Sequence, residues 1–143
     1  MNVKENIKTL VIKKPLRLDC GKTINNFPLA YETYGSLNEN KDNAILIFHA
    51  LTGDQFVTGI NPITKKDGWW SFAVGTNKSI DTNKYFVICA NVIGGCMGSY
   101  GPSHKNPKTN KIYALIYLNC ERFKKTAKKV FFAQFINQLF SIL

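Results

Sequence analysis

From Ala44 to Phe48 the chain reads Ala-Ile-Leu-Ile-Phe, apolar without a break, and then turns polar through His49, Thr52, Gly53 and Asp54. A run this short, β-branched at two positions and bounded by Asn43 and Gly53, predicts a strand over Ala44–His49 buried on both faces, as in a parallel sheet. Tyr85–Val92 is a second run of the same kind. Earlier the pattern alternates. Leu10, Ile12, Leu16 and Leu18 are apolar with Lys13, Lys14 and Arg17 between them, and Phe27, Leu29, Tyr31 and Thr33 oppose Ala30, Glu32 and Tyr34. With Gly21 and Asn25-Asn26 as turn residues, this predicts two half-buried antiparallel strands joined near Asn25. Gly35–Asn43 is a polar loop. Thr52–Asp67, with Gly53, Gly59 and Pro62 and no strict period, reads as loop with up to one helical turn. Phe123, Ala127, Val130 and Phe131 have helical spacing, with Lys124, Lys125, Lys128 and Lys129 around the other side. That predicts an amphipathic helix of about three turns. Ile136–Leu143 is short and apolar and predicts a third buried strand. The order is two antiparallel strands, then strand, loop, strand, helix, strand, which is the start of a doubly wound α/β sheet.

In open α/β sheets ligands bind where the strands end, so His49–Asp54 is the candidate site. Composition narrows what can sit there. At 143 residues the chain is one domain by size, or a piece of a larger one, and 45% hydrophobic content supports a real core. The net charge is +10, mostly lysine. Such charge speaks to solubility before it speaks to a partner, and only Arg122–Lys129 approaches the clustered stripe a nucleic-acid surface needs. Nucleic acid and membrane are therefore not expected partners. The four cysteines, Cys20, Cys89, Cys96 and Cys120, include no C-x-x-C pair, and there are two histidines, so no metal site is expected. The polar N-terminus and the lack of an apolar run of about 18 residues point to a cytoplasmic protein with free thiols.

Gly94-Gly95-Cys96-Met97-Gly98 follows a strand and flanks a nucleophilic side chain with glycines, the outline of a nucleophile elbow with Cys in place of Ser. A thiolate there needs a base, and only His49 and His104 are available. An elbow must also run straight into a helix, whereas Ser99–Pro107 carries a Gly and two Pro. The structural glycine loop is the favoured reading. His49 reads as a packed residue before a base or ligand, since no acidic partner is identifiable. Asp54 beside Gly53 suits a turn or cap as well as a site. Gly68-Trp69-Trp70-Ser71-Phe72 is either core packing or the wall of a pocket.

Taken together, Tyr31-Glu32-Thr33-Tyr34-Gly35, His49-Ala50-Leu51-Thr52-Gly53-Asp54, Gly68-Trp69-Trp70, Ile80-Asp81-Thr82 with Tyr85-Phe86-Val87-Ile88, and Asn91-Val92-Ile93-Gly94-Gly95-Cys96-Met97-Gly98-Ser99 with Gly101-Pro102 carry a resemblance. The chain resembles the homoserine O-acetyltransferases, the MetX-type acyl-CoA homoserine acyltransferases of the α/β-hydrolase superfamily. The resemblance implies an incomplete α/β-hydrolase fold, formed by the N-terminal strands of a mostly parallel, doubly wound sheet. In such enzymes a serine takes the acetyl group from acetyl-CoA and passes it to the hydroxyl of homoserine, in methionine biosynthesis, with His as base and Asp as orienter. No tightly bound cofactor is implied; acetyl-CoA is a co-substrate. The resemblance assigns an oxyanion-hole donor to the backbone N–H of Leu51, places Thr52, Gly53, Asp54, Trp69 and Trp70 as a pocket wall, and makes Cys96 part of a glycine loop.

The family-like region runs over 10–113. Residues 114–126 diverge, with Ala114-Leu115-Ile116-Tyr117 where a Gly-x-Asp-Phe-Pro-like segment is expected, and 127–143 are family-like again. The last stretch resembles the helix and strand that lead into a Gly-Gly-Ser-Met-Gly-Gly elbow, so the triad Ser, Asp and His are not among these residues. The expectation over 1–143 is a truncated, pseudogene-like member, inactive alone; the alternatives are one half of an enzyme completed by a separately encoded C-terminal chain, or a basic remnant that binds nucleic acid or a membrane surface through Lys124, Lys125, Lys128 and Lys129. A downstream frame lacking Gly-Gly-Ser-Met-Gly-Gly coding would remove the first idea.

Overall fold

The computed structural model describes residues 7–17, 21, 23–50, 52–102, 104–105, 110–111 and 138–141. The predicted helix over Phe123–Phe131, and Cys20 and Cys120, lie outside the described residues. The strands are β1 (Thr9–Ile12), β2 (Leu16–Arg17), β3 (Thr23–Ile24), β4 (Phe27–Tyr34), β5 (Ala44–Ile47), β6 (Val74–Gly75), β7 (Ile80–Asp81) and β8 (Phe86–Ala90). A four-stranded sheet has the order β1-β4-β8-β5, with β2-β3 and β6-β7 as small two-stranded pieces. Among the described residues no helix is long and apolar enough to cross a membrane. The chain divides into two compact units.

The first unit holds Met1–Lys8 and Ala30–Val92. Here β8 lies between two strands. It pairs antiparallel with β4 (Tyr31↔Ala90 to Tyr34↔Val87) and parallel with β5 (Ala44↔Phe86 to Ile47↔Cys89). All five residues of β8 are buried, as its unbroken apolar run predicts for a strand covered on both faces. Val87 and Cys89 join Ile47, Val57 and Val74 in a core cluster, against which Tyr34, Ile45, Trp70 and Ile80 pack.

The same prediction fails for β5. Its Ile45 and Ile47 meet the core, but Ala44 is exposed, Leu46 half-buried and Phe48 57% exposed. The reason is position. β5 ends the sheet, so among the described strands it has a ladder partner on one side only. Asn43 sets the register at its start. The Asn43 side chain donates to the carbonyls of Ser36 (2.9 Å) and Lys84 (3.0 Å), and the Asn43 backbone carbonyl accepts from the Phe86 N–H at 2.9 Å.

The second unit holds Thr9–Leu29 and Ile93–Leu143. The alternating segment is broken more finely than its pattern suggests. Pro15, with no N–H to give to a ladder, separates β1 from β2. β2 and β3 form a hairpin (Leu16↔Ile24, Arg17↔Thr23), and Asn26 at φ +47° makes the turn into β4. The Tyr100 ring meets Phe27 at 6.4 Å, and the Tyr100 N–H donates to the Pro28 carbonyl at 2.8 Å.

The strand predicted over Ile136–Leu143 is not formed where the structure describes it. Gln138–Phe140 are helical, with Leu139 fully buried. The Ser141 hydroxyl donates to the Gln138 carbonyl and the Gln138 amide to the Val11 carbonyl, each at 2.8 Å. A short apolar run has no period to separate a strand from a buried helical turn. Here the bond to the carbonyl three residues back closes a turn.

Candidate active site

β5 and the Tyr34 end of β4 deliver the loop that follows β5. Its second residue, His49, is held at both ring nitrogens. Nδ1 sits 2.7 Å from the Ala50 carbonyl and Nε2 sits 3.2 Å from the Val92 N–H. Only one tautomer serves both partners, with Nδ1–H donating and Nε2 accepting. His49 thus links the loop to Val92, just past the end of β8, with both ring nitrogens engaged. Ala50 and Gly53 are tied across a tight turn by a 2.9 Å bond from the Gly53 N–H. Leu51 lies outside the described residues; Thr52 is exposed.

Asp54 is the hub of the loop. One carboxylate oxygen accepts from the Phe56 N–H (2.8 Å) and the other from the buried Asn61 side-chain amide (3.0 Å). Its carbonyl accepts the Trp69 indole N–H at 2.9 Å and faces the Cys89 thiol at 3.8 Å. Both carboxylate oxygens serve turn geometry, the role an Asp beside Gly favours. Asn61 in turn accepts from the N–H groups of Ile63 and Thr64, at 2.9 and 3.1 Å. Tyr34 holds the far end: its hydroxyl accepts from the Val57 N–H (3.0 Å) and donates to the Gln55 carbonyl (3.3 Å). Burial pushes the Tyr34 phenol up to about 12, against the opposing hydrogen bonds from Thr58 and Val57.

The two tryptophans divide the alternatives left open for their cluster. Trp70 packs on the core and Trp69, 40% exposed, stacks on it at 5.7 Å with rings 9° apart. Phe72 is 80% exposed. The structure thus brings Gly53, Asp54, Trp69 and Trp70 into one neighbourhood. Tyr34, which stands in the Tyr31–Gly35 motif without a stated role, and Asn61, which the sequence does not single out, hold that neighbourhood in place. Only the Asn61-Pro62 turn dipeptide hints at either.

Gly94–Pro102 is a loop of turns and bends with no helix after Cys96, so the elbow geometry is not built. The loop closes on itself through the Gly94 N–H and the Tyr100 carbonyl (2.8 Å), and Gly101 lies where a Cβ would come within 2.7 Å of the Gly95 carbonyl. His104 accepts from the Gly101 N–H through Nδ1 at 3.3 Å and rests on Tyr100. The two thiols differ sharply. Cys96 is exposed, whereas burial, then the Asp54 charge, push the Cys89 thiol up to about 12. Iodoacetamide at about pH 8.5 is expected to label Cys96 at least about a hundredfold faster than Cys89, read by peptide mass mapping. Equal rates would mean that the β8–loop contact opens readily. Among the described residues no three His, Cys, Asp or Glu side chains form a metal-holding group.

No protein-family model matches the chain. Curated relatives do. A homoserine O-acetyltransferase of Pelagibacter ubique is 78% identical over 117 residues, 82% of this chain and 32% of the relative. One of Nitrobacter hamburgensis is 58% identical over 102 residues, 71% of this chain and 26% of the relative. The chain belongs to the homoserine O-acetyltransferase family.

It spans about a third of the length of the curated family members it matches, in their N-terminal part. The solved structures agree. The homoserine O-acetyltransferase of Bacillus anthracis superposes with a TM-score of 0.68 at 31% identity, over 83% of this chain and 36% of that one. Esterase E22 superposes with a TM-score of 0.64 at 29% identity, over 77% of this chain and 32% of that one. These are α/β-hydrolase folds, and the mixed sheet here is the N-terminal part of one. Within that family frame, the loop after β5 is the segment that the resemblance pairs with oxyanion stabilisation.

Proposed function

We propose that this chain supplies the oxyanion-loop side of a homoserine O-acetyltransferase site, in a protein that moves the acetyl group of acetyl-CoA to the hydroxyl of homoserine. The observation that carries this reading is the 78% identity over 117 residues to the Pelagibacter ubique relative. In this reading the Leu51 backbone N–H faces the developing oxyanion, while Thr52, Gly53, Asp54, Trp69 and Trp70 wall the pocket. The bonds from Trp69 and Asn61 to Asp54 support it, because a fixed loop can hold a donor aimed at a charge before the charge develops. Homoserine and acetyl-CoA are the substrates. Residues 10–113 carry the family-like region, 114–126 diverge and 127–143 return to it.

These residues are inactive alone in this reading. His49 has both ring nitrogens engaged, and Cys96 sits in a loop without elbow geometry. Losing nucleophile or base costs about 10⁶-fold in triad catalysis, which an oxyanion donor by itself does not restore. The nucleophile, base and orienter come instead from the part of the family sequence outside the match. The test is thiol release from acetyl-CoA with homoserine present. The 143-residue chain is expected to stay at background, and the chain assembled with the unmatched part of the Pelagibacter ubique relative is expected to turn over. Turnover by the chain alone, or an assembled complex without turnover, overturns the reading.

A further inference from the structure

The Cys89 side chain is fully buried among Ile47, Val57, Val74 and Val87, a packing role that an apolar residue would fill equally well. Its two hydrogen bonds are another matter. The sulfur faces the Asp54 carbonyl at 3.8 Å, within reach of a sulfur donor, and the His49 backbone N–H donates to the same sulfur. The strand register sets this up, since Cys89 lies opposite Ile47 in the parallel pair, two residues ahead of His49. His49 and Asp54 flank Leu51 in the sequence of the loop that follows β5. A thiol is a weak donor and a weak acceptor, but it acts as both at once, which no alkyl side chain can. Burial, then the Asp54 charge, push this thiol up to about 12, so the proton that the Asp54 carbonyl needs stays on sulfur through neutral pH. The Asp54 carbonyl thus receives two donors, the Cys89 S–H and the Trp69 indole N–H.

We infer that Cys89 is a positioning residue for acetyl transfer: its thiol ties His49 and Asp54 to β8 and so fixes the span of loop that carries the Leu51 N–H. The inference rests on the functional reading above and adds to that site a residue that acts through the loop and not on a substrate. An oxyanion donor is effective only when it is aimed before the charge develops, and removing one costs about 10²–10³-fold in kcat. A misplacement of about 1 Å in such a site costs up to about 10²-fold. The acetyl oxygen becomes an oxyanion only on the way through the transition state. Loosening the loop therefore lowers kcat and leaves KM nearly unchanged.

The test compares Cys89→Ala, which removes both bonds, Cys89→Val, which fills the space without an S–H, and Ile47→Val, which opens a small cavity in the same cluster and leaves the thiol in place. In the 143-residue chain, amide hydrogen exchange at His49 and Gly53 is expected to quicken at least about tenfold in both Cys89 variants and less than about threefold in Ile47→Val. In the chain assembled with the unmatched part of the Pelagibacter ubique relative, kcat is expected to fall at least about tenfold in both Cys89 variants. The KM values for homoserine and acetyl-CoA are expected to stay within about twofold, and Ile47→Val to keep the parent kcat. Exchange unchanged in Cys89→Ala, exchange or kcat restored in Cys89→Val, or an equal loss in Ile47→Val overturns the inference, because packing would then account for Cys89. Quickened exchange with kcat unchanged overturns it as well. An assembled parent complex that does not acetylate homoserine removes the functional reading instead, and the exchange comparison still decides whether the thiol holds the loop.

Discussion

Replacing Gly35 with alanine is expected to destabilise the chain by about 3 kcal/mol or more. Two effects add. Gly35 sits at φ +76°, where a side chain is strained by about 1–2 kcal/mol. A Cβ there would also come within 2.3 Å of the Tyr85 carbonyl and 2.5 Å of the Thr82 carbonyl. Both are backbone atoms, so neither can swing aside as a flexible side chain would. Moving them disturbs the turn whose Tyr85 N–H donates to the Asp81 carbonyl at 2.9 Å, directly ahead of β8. It also disturbs Lys84, whose carbonyl anchors Asn43 ahead of β5. Gly59→Ala is the internal control: φ is +73° there, but nothing lies within 4 Å of the new Cβ. Its cost should be the strain alone, about 1 kcal/mol. Urea unfolding of the two variants checks the ordering. Equal midpoints would show that the close approach of the backbone at Gly35 is unimportant.

Ile88→Ala is the second large effect, about 2–5 kcal/mol, with Ile88→Val costing about 0.5–1.5. Ile88 is completely buried at the centre of β8, between Thr33 on β4 and Leu46 on β5 in the ladder. Truncation removes its apolar transfer energy and leaves a cavity that two flanking strands keep from collapsing. Thermal melting resolves it, since each kcal/mol shifts the midpoint by a few degrees at this chain length. A loss for Ile88→Ala no larger than for Ile88→Val would mean that this face of β8 is loosely packed.

Much of the strand frame was legible along the chain. Tyr85–Val92 contains β8, Phe86–Ala90, and Ala44–His49 contains β5, because short β-branched runs bounded by turn residues have few other readings. The glycine loop was also legible as a loop, since two prolines after Cys96 forbid the helix an elbow requires. What failed was burial at β5 and the strand over Ile136–Leu143. Neither failure is one of local preference. Ala44–Phe48 has an interior composition, but whether a strand is covered depends on what stands beside it, and composition does not encode that. Gln138–Phe140 is helical because a hydroxyl closes the turn and Leu139 is buried.

The candidate site divides the same way. His49, Gly53, Asp54 and the tryptophan pair stand out in sequence as polar, glycine and aromatic residues at the end of an apolar run. Their roles do not. Residues 15 apart became partners when the Trp69 indole found the Asp54 carbonyl, and residues 43 apart when the Val92 N–H found His49. That second bond engages Nε2 of His49, one of the two histidines the sequence offers as a base. The sequence by itself determined the family, the strand runs and the loop that follows β5, since each is written in local pattern and ordered motifs. Only the tertiary structure decided that His49 is a link and Asp54 a hub, and that β5 ends the sheet among the described strands. Hydrogen-bond partners and sheet neighbours come from distant parts of the chain, and no local pattern records which of them will meet.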